Sequence, residues 1–185
     1  MSQRVCPWWL GYLLASPIRR LLEDPEKLLA PYVHEGMTVL EPGPGMGFFT
    51  LPLARRVGAS GRVVAVDIQP RMIAGLKRRV ARAGLLSRVD ARVVAADTMG
   101  LSDLAGAVDF TLAFALVHEL PAVDRFFSQV AGASKRGAGL LFVEPSGHVK
   151  PALFEEELQA AGKAGFELRD RPSVRRSHAA LLKKR

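Results

Sequence analysis

The sequence predicts an α/β fold: a doubly wound, mostly parallel sheet of seven strands whose last strand runs antiparallel. Three observations predict it. Short unbroken apolar runs such as Arg62-Val63-Val64-Ala65-Val66 alternate with longer amphipathic segments, as strands buried on both faces and their crossover helices require. A glycine-rich turn, Gly43-Pro44-Gly45-Met46-Gly47, follows the first of these runs. The last two strand-like segments, 166–169 and 179–182, have no helix between them, which calls for an antiparallel return.

Taken in order, residues 8–22 show apolar spacing of helical period with a break near Ser16-Pro17. Trp8, Trp9 and Tyr12 crowd into this stretch. They read either as an anchor onto the core or as an aromatic lid that lines a substrate pocket and excludes water. Asp24-Pro25-Glu26 starts a helix over 26–33, with a capping acid, proline at the first helical position and an acid in the first turn. A buried strand opens at Thr38 and runs into the glycine turn, and a helix over 48–57 closes at Gly58. Strand 62–66 ends at Asp67, and Pro70 opens a helix to residue 83 with Met72, Ile73, Leu76 and Val80 on one face. Strand 89–95 runs into Ala96-Asp97-Thr98, and strand 108–116 into Val117-His118-Glu119. A helix over 121–133 follows. Gly137-Ala138-Gly139 turns the chain into strand 140–144, and a helix over 151–164 carries Glu155, Glu156 and Glu157. The organisation expected is one domain, with residues 1–35 as a helical cap and 36–185 as the core.

Composition narrows the function classes. A net charge of +8 over 185 residues is partly local, since the segment from Arg169 onward is strongly basic. No nucleic-acid module accompanies that charge, so a solvated basic surface is favoured over an RNA footprint. A single cysteine, Cys6, excludes a disulfide framework, a zinc ribbon and a CxxC redox site, and fits a reducing cytoplasm. It reads as a structurally neutral thiol. No apolar run reaches membrane-spanning length, and the N-terminal stretch lacks a signal-peptide pattern. His118, Glu119, Glu144 and His148 lack the tight spacing of a metal set, so no metal is expected.

Three strands in succession end in polar features on what must be one rim. Gly43, Gly45 and Gly47 let backbone approach a bound molecule closely. Phe48 fills the third-glycine slot of a dinucleotide fingerprint, which tells against NAD. Asp67, about twenty residues on, can accept both hydroxyls of a ribose, and Asp97 can accept from an exocyclic amine. Together, Val39–Gly47, Val63–Asp67, Ala95-Ala96-Asp97, Asp109–Phe114 and Gly137–Glu144 resemble the motifs of class I S-adenosylmethionine-dependent methyltransferases over roughly residues 25–170.

That resemblance implies a Rossmann-like three-layer sandwich and S-adenosylmethionine as cofactor, which carries the activated methyl group. It places Glu41, Gly43, Gly45 and Gly47 at the methionine end, Asp67 on the ribose diol, Ile68 against adenine and Asp97 on the adenine amine. Thr98 and Phe114 complete the cofactor set. The acceptor side falls to the end of the fourth strand. There His118 is the candidate base and Glu119 its orienter, or the two simply cap a helix start. Glu144 and His148 are expected at the pocket mouth. The amino-adenine motif Asn-Pro-Pro-Tyr and a Pro-Cys nucleophile are both missing. The expectation is therefore methyl transfer to a small or medium-sized acceptor. An RNA-directed enzyme and a non-catalytic cofactor-binding module stand as alternatives.

Overall fold

The structure, a computed structural model, describes residues 24–185. They fall into two compact units, residues 24–100 and Leu101–Arg185. Across the chain there are seven strands, as the sequence predicts, in the order β3-β2-β1-β4-β5-β7-β6.

In the first unit, α1 (Pro25–Leu29) starts where Asp24 Oδ1 accepts from the amides of Glu26 and Lys27 at 3.1 and 3.3 Å. Such a cap is worth about 1 kcal/mol. The helix is shorter than expected, and turns carry the chain from Leu29 to Val33. Strands β1 (Thr38–Pro42), β2 (Arg62–Asp67) and β3 (Val89–Val93) are parallel and in the order β3-β2-β1. Helices α2 (Thr50–Arg56) and α3 (Pro70–Arg82) connect them. Val63, Val64 and Ala65 are fully buried, which accounts for the unbroken apolar run. β3 stops two residues earlier than expected, because Ala95-Ala96-Asp97-Thr98 closes into a turn with a bridge between Ala95 and Thr98.

In the second unit, β4 (Val108–Phe114) and β5 (Ser134–Pro145) are parallel, and β7 (Ser177–Lys184) is antiparallel to β5 on one side and to β6 (Phe166–Asp170) on the other. Helices α4 (Val123–Ala133) and α5 (Pro151–Lys163) complete the unit. Its core is an aromatic file. Phe127 meets Phe142 edge-on at 5.6 Å, and Phe142 stacks on Phe154 at 4.9 Å. Burying each ring contributes on the order of 2 kcal/mol. One expectation is corrected here: Gly137-Ala138-Gly139 is no turn between elements but part of β5. Pairing with β4 jumps from Val108–Ser134 to Phe110–Gly139, so the extra residues bulge within a continuing strand.

Candidate active site

The glycine turn hangs between β1 and α2. Gly43 N–H donates to Val66 O on the neighbouring strand at 2.9 Å, and Gly47 N–H donates to Pro44 O at 3.0 Å. All three glycines adopt positive φ, +66°, +54° and +87°, a region that costs other residues roughly 1–2 kcal/mol each. They are not equivalent. A Cβ on Gly47 would lie 2.5 Å from Leu76 Cδ1, so this glycine lets the turn pack onto α3. A Cβ on Gly45 would meet nothing within 4 Å. Gly45 therefore leaves an open face among the described residues, and Gly43 is exposed beside it. From α3, Arg79 Nη1 donates to Met46 O at 2.6 Å and holds the turn's crest.

Glu41 leads into this turn with only 3% of its surface exposed. Thr50 Oγ1 donates to its Oε2 at 2.6 Å. Burial pushes the carboxyl up to about 7, and the Thr50 bond opposes that rise. Near neutral pH the group therefore stands between its neutral and charged forms, and an arriving ammonium would ionise it. Asp67 ends β2 half-buried, its Oδ1 accepting from Gln69 N–H at 2.8 Å at the entry to α3. The neighbouring Ile68 is 39% exposed, an apolar side chain facing outward. Asp97 is exposed in the turn after β3, and Thr98 Oγ1 accepts from Gly100 N–H at 3.2 Å. Because Pro42 pairs with Val66 and Asp67 with Val93 in parallel register, all these groups sit at or beyond the carboxyl ends of three adjacent strands. An open backbone face, a buried acid that an ammonium can ionise and a carboxylate at a strand end fit a nucleoside carrying an amino-acid tail.

The second unit holds a different cluster. β4 ends at the half-buried Phe114, and Ala115 then takes φ +53°. That left-handed turn delivers the chain into a 3₁₀ turn, Val117–Glu119. Glu144, fully buried near the end of β5, organises it. Its Oε1 accepts from Val117 N–H at 2.7 Å and from His118 N–H at 3.4 Å, and its Oε2 accepts from His118 Nδ1 at 2.5 Å. The Glu144 bond raises the His118 pKa above its ordinary value, burial works against it, and the charges of Glu144, Glu119 and Glu157 add to the rise. With Nδ1 engaged, neutral His118 presents Nε2 as its basic atom. The exposed His148 ring lies 6.1 Å away, centroid to centroid.

Several placements differ from the expectations. The carboxylate that meets His118 is Glu144, sealed in the core rather than set at a pocket mouth. Glu119 is half-buried and makes no side-chain hydrogen bond among the described residues. Sequence reasoning passed over Thr50 and Arg79, whose partners lie 9 and 33 residues away. It also passed over Glu157. This acid on α5 is 3% exposed, its Oε2 has no hydrogen-bond partner, and burial together with the Glu144 charge pushes it up to about 7. Among the described residues no group of histidines and acids is arranged to hold a metal ion, and no helix is long and apolar enough to cross a membrane. Trp8, Trp9, Tyr12 and Cys6 lie outside the described residues.

Residues 39–137 match the model of a methyltransferase domain. The chain is similar to a solved SAM-dependent methyltransferase from Aquifex aeolicus, with 26% identity, 97% of this chain and 98% of that one covered, and a TM-score of 0.85. It is 35% identical over 118 residues to a ubiquinone biosynthesis O-methyltransferase of Methylocella silvestris, covering 64% of this chain and 43% of that protein. It is also 35% identical over 144 residues to a ribosomal protein L11 methyltransferase of Pelotomaculum thermopropionicum, covering 76% and 42%. The chain thus spans less than half the length of these two relatives.

Proposed function

The chain belongs to the methyltransferase-domain family of S-adenosylmethionine-dependent, Rossmann-like proteins, and from that premise we propose that it transfers a methyl group to a small or medium-sized acceptor. The observation that carries the reading is the pairing of an open Gly45 face with the buried, ionisable Glu41. When bound, the cofactor supplies a methyl group already activated on a sulfonium.

The chain's own residues divide the remaining work. The turn of Gly43, Gly45 and Gly47 cradles the methionine end, Gly45 by its open face and Gly47 by seating the turn on α3, and Glu41, drawn into its charged form, pairs with the amino group. Asp67 takes the ribose hydroxyls, the exposed Ile68 supports the adenine, and Asp97 with Thr98 meets its amine side. On the acceptor side His118 Nε2 takes the acceptor's proton, while Nδ1–H stays on Glu144 and the imidazolium formed is stabilised by that buried carboxylate. Phe114, Glu119 and His148, with Trp8, Trp9 and Tyr12 of the 1–35 cap, make up the proposed acceptor side. The similarity to an enzyme named for ubiquinone biosynthesis supports a small acceptor, and the single cysteine supports a cytoplasmic setting.

The test begins with calorimetric titration of S-adenosylmethionine and NAD. Binding of the first alone is expected, and a preference for NAD overturns the reading. Release of S-adenosylhomocysteine is then followed with a panel of phenols, amines and thiols. His118→Gln should abolish turnover while leaving cofactor affinity intact, and a fully active variant removes His118 from the chemistry.

A further inference from the structure

At the opposite end of β5 from Glu144 the second unit holds a recess of about 430 Å³. The two places are separated by the run from Gly137 to Glu144, about 23 Å of strand. Five cations line it: Arg136 from β5, Arg169 from β6, Lys183 and Lys184 from β7, and Arg185. Among the described residues Glu167 is the only acidic side chain there, and it is shared between Arg169 at 3.0 Å and Arg185 at 3.6 Å. Arg136, Lys183 and Lys184 have no acidic partner among the described residues. The neighbouring Lys135 is different, since it is spent on Asp109 at 2.5 Å.

The recess is built by backbone as well as charge. Gly137 lines it, and a Cβ there would lie 3.6 Å from Lys183 Cε. A Cβ on Gly165 would fall 2.8 Å from Lys184 Nζ, so this glycine lets the ammonium lie close against the backbone, whereas at Gly137 the distance is an ordinary contact. Arg185 is pinned by its own amide, which donates to Gly165 O at 3.0 Å. Lysines on a sheet edge often serve only to discourage strand pairing. That explanation reaches Arg169 on the edge strand β6, but not Lys183, which pairs with Gly139 of β5 on one side and Glu167 of β6 on the other. Gathering unpaired like charges raises the folded state's energy, and a multiply charged anion would relieve it. Among the described residues no aromatic side chain lines the recess, so none of them is placed there to stack on a base.

The geometry points to an anion site that takes a chain of phosphate groups, read by charge alone, at the end of β5 away from Glu144 and its partner His118. Its ligand is an oligophosphate, either free or as the backbone of a single strand of nucleic acid. The test uses the full chain and two probes, inorganic tripolyphosphate and a single-stranded oligouridylate, at about 50 mM salt. Both readouts are binding, so the outcome does not depend on methyl transfer. Lys183→Gln with Lys184→Gln should weaken binding at least ~10-fold, the loss expected when two charge-assisted contacts go. Arg136→Gln, at an exposed position, gives a second variant should the double change disturb β7. Tripolyphosphate binding alone supports a free ligand. Oligouridylate binding with a log–log salt slope near −2, about −0.7 for each of three phosphates neutralised, supports a strand. Failure of both probes to bind, or binding unaffected by either variant, overturns the assignment.

Discussion

Glu41 predicts a proton linkage to cofactor binding. Its carboxyl sits at about 7 in the folded protein against an ordinary 4.5, and each pKa unit is worth about 1.4 kcal/mol. Ionising it in place is therefore resisted by roughly 3 kcal/mol relative to a solvated carboxylate. If the cofactor's amino group pairs with the charged form, binding below pH 7 must first expel the proton. At about pH 5.5 this costs ~2 kcal/mol, so affinity should be roughly 30-fold weaker than at about pH 8. Calorimetry in two buffers of different ionisation heat should count about one proton released per cofactor at the lower pH and almost none at the higher. Glu41→Gln should bind weakly at both, release no proton and lose the pH dependence. An affinity flat across this range in the native protein, or the same proton release from the glutamine variant, would refute the assignment of Glu41 to the amino group.

The same acid acts on stability with a definite sign. The folded state keeps a proton that the unfolded chain gives up once pH exceeds about 4.5, so stability declines from there to about 7 and then levels. Glu41→Gln removes that decline and should be more stable than the native protein above pH 7, by up to roughly 3 kcal/mol. Glu157, raised to the same value, leaves a residual slope in the same window.

Three further outcomes test the remaining parts. Asp67→Ala should weaken S-adenosylmethionine binding by about 1.5–3 kcal/mol, the loss of charge-assisted hydrogen bonds; unchanged affinity by titration would move the ribose elsewhere. Because Glu144 raises the His118 pKa, turnover should fall as pH drops through that elevated value, and Glu144→Gln should shift the inflection down toward about 6.5; an inflection that stays put separates Glu144 from the imidazole's proton. The glycines should split by role. Gly47→Ala, which adds a clash with Leu76 to left-handed strain, should cost on the order of 3–4 kcal/mol in thermal unfolding, whereas Gly45→Ala should lose cofactor affinity and cost only the roughly 1–2 kcal/mol of a left-handed alanine. Equal binding losses would deny that distinction.

What could be read from the sequence follows how local each feature is. The proposed cofactor rim is assembled from strand ends. Asp67 announces itself because the apolar run before it defines a strand and the acid terminates it. The glycine triplet is visible because its spacing is short, although only the packing of Leu76 against Gly47 separates a glycine that serves the fold from one that faces open space. The proposed acceptor-side cluster is non-local. His118 and Glu144 stand 26 residues apart and meet only because β4 and β5 pair so that Phe114 lies beside Val143. No pattern within one segment encodes that register, so the adjacent Glu119 was the natural partner to choose. Glu157 was hidden for a related reason. Three consecutive glutamates look like a solvated helix face, yet at about 100° per residue they span roughly 200° of the helix, and only Glu155 and Glu156 are exposed. Glu157, three positions after the buried Phe154, follows that ring into the core. Its raised carboxyl, unpartnered Oε2 and neighbouring Glu144 charge mark it as a polar intrusion, the sort of local inconsistency expected of a functional site rather than a stabilising one.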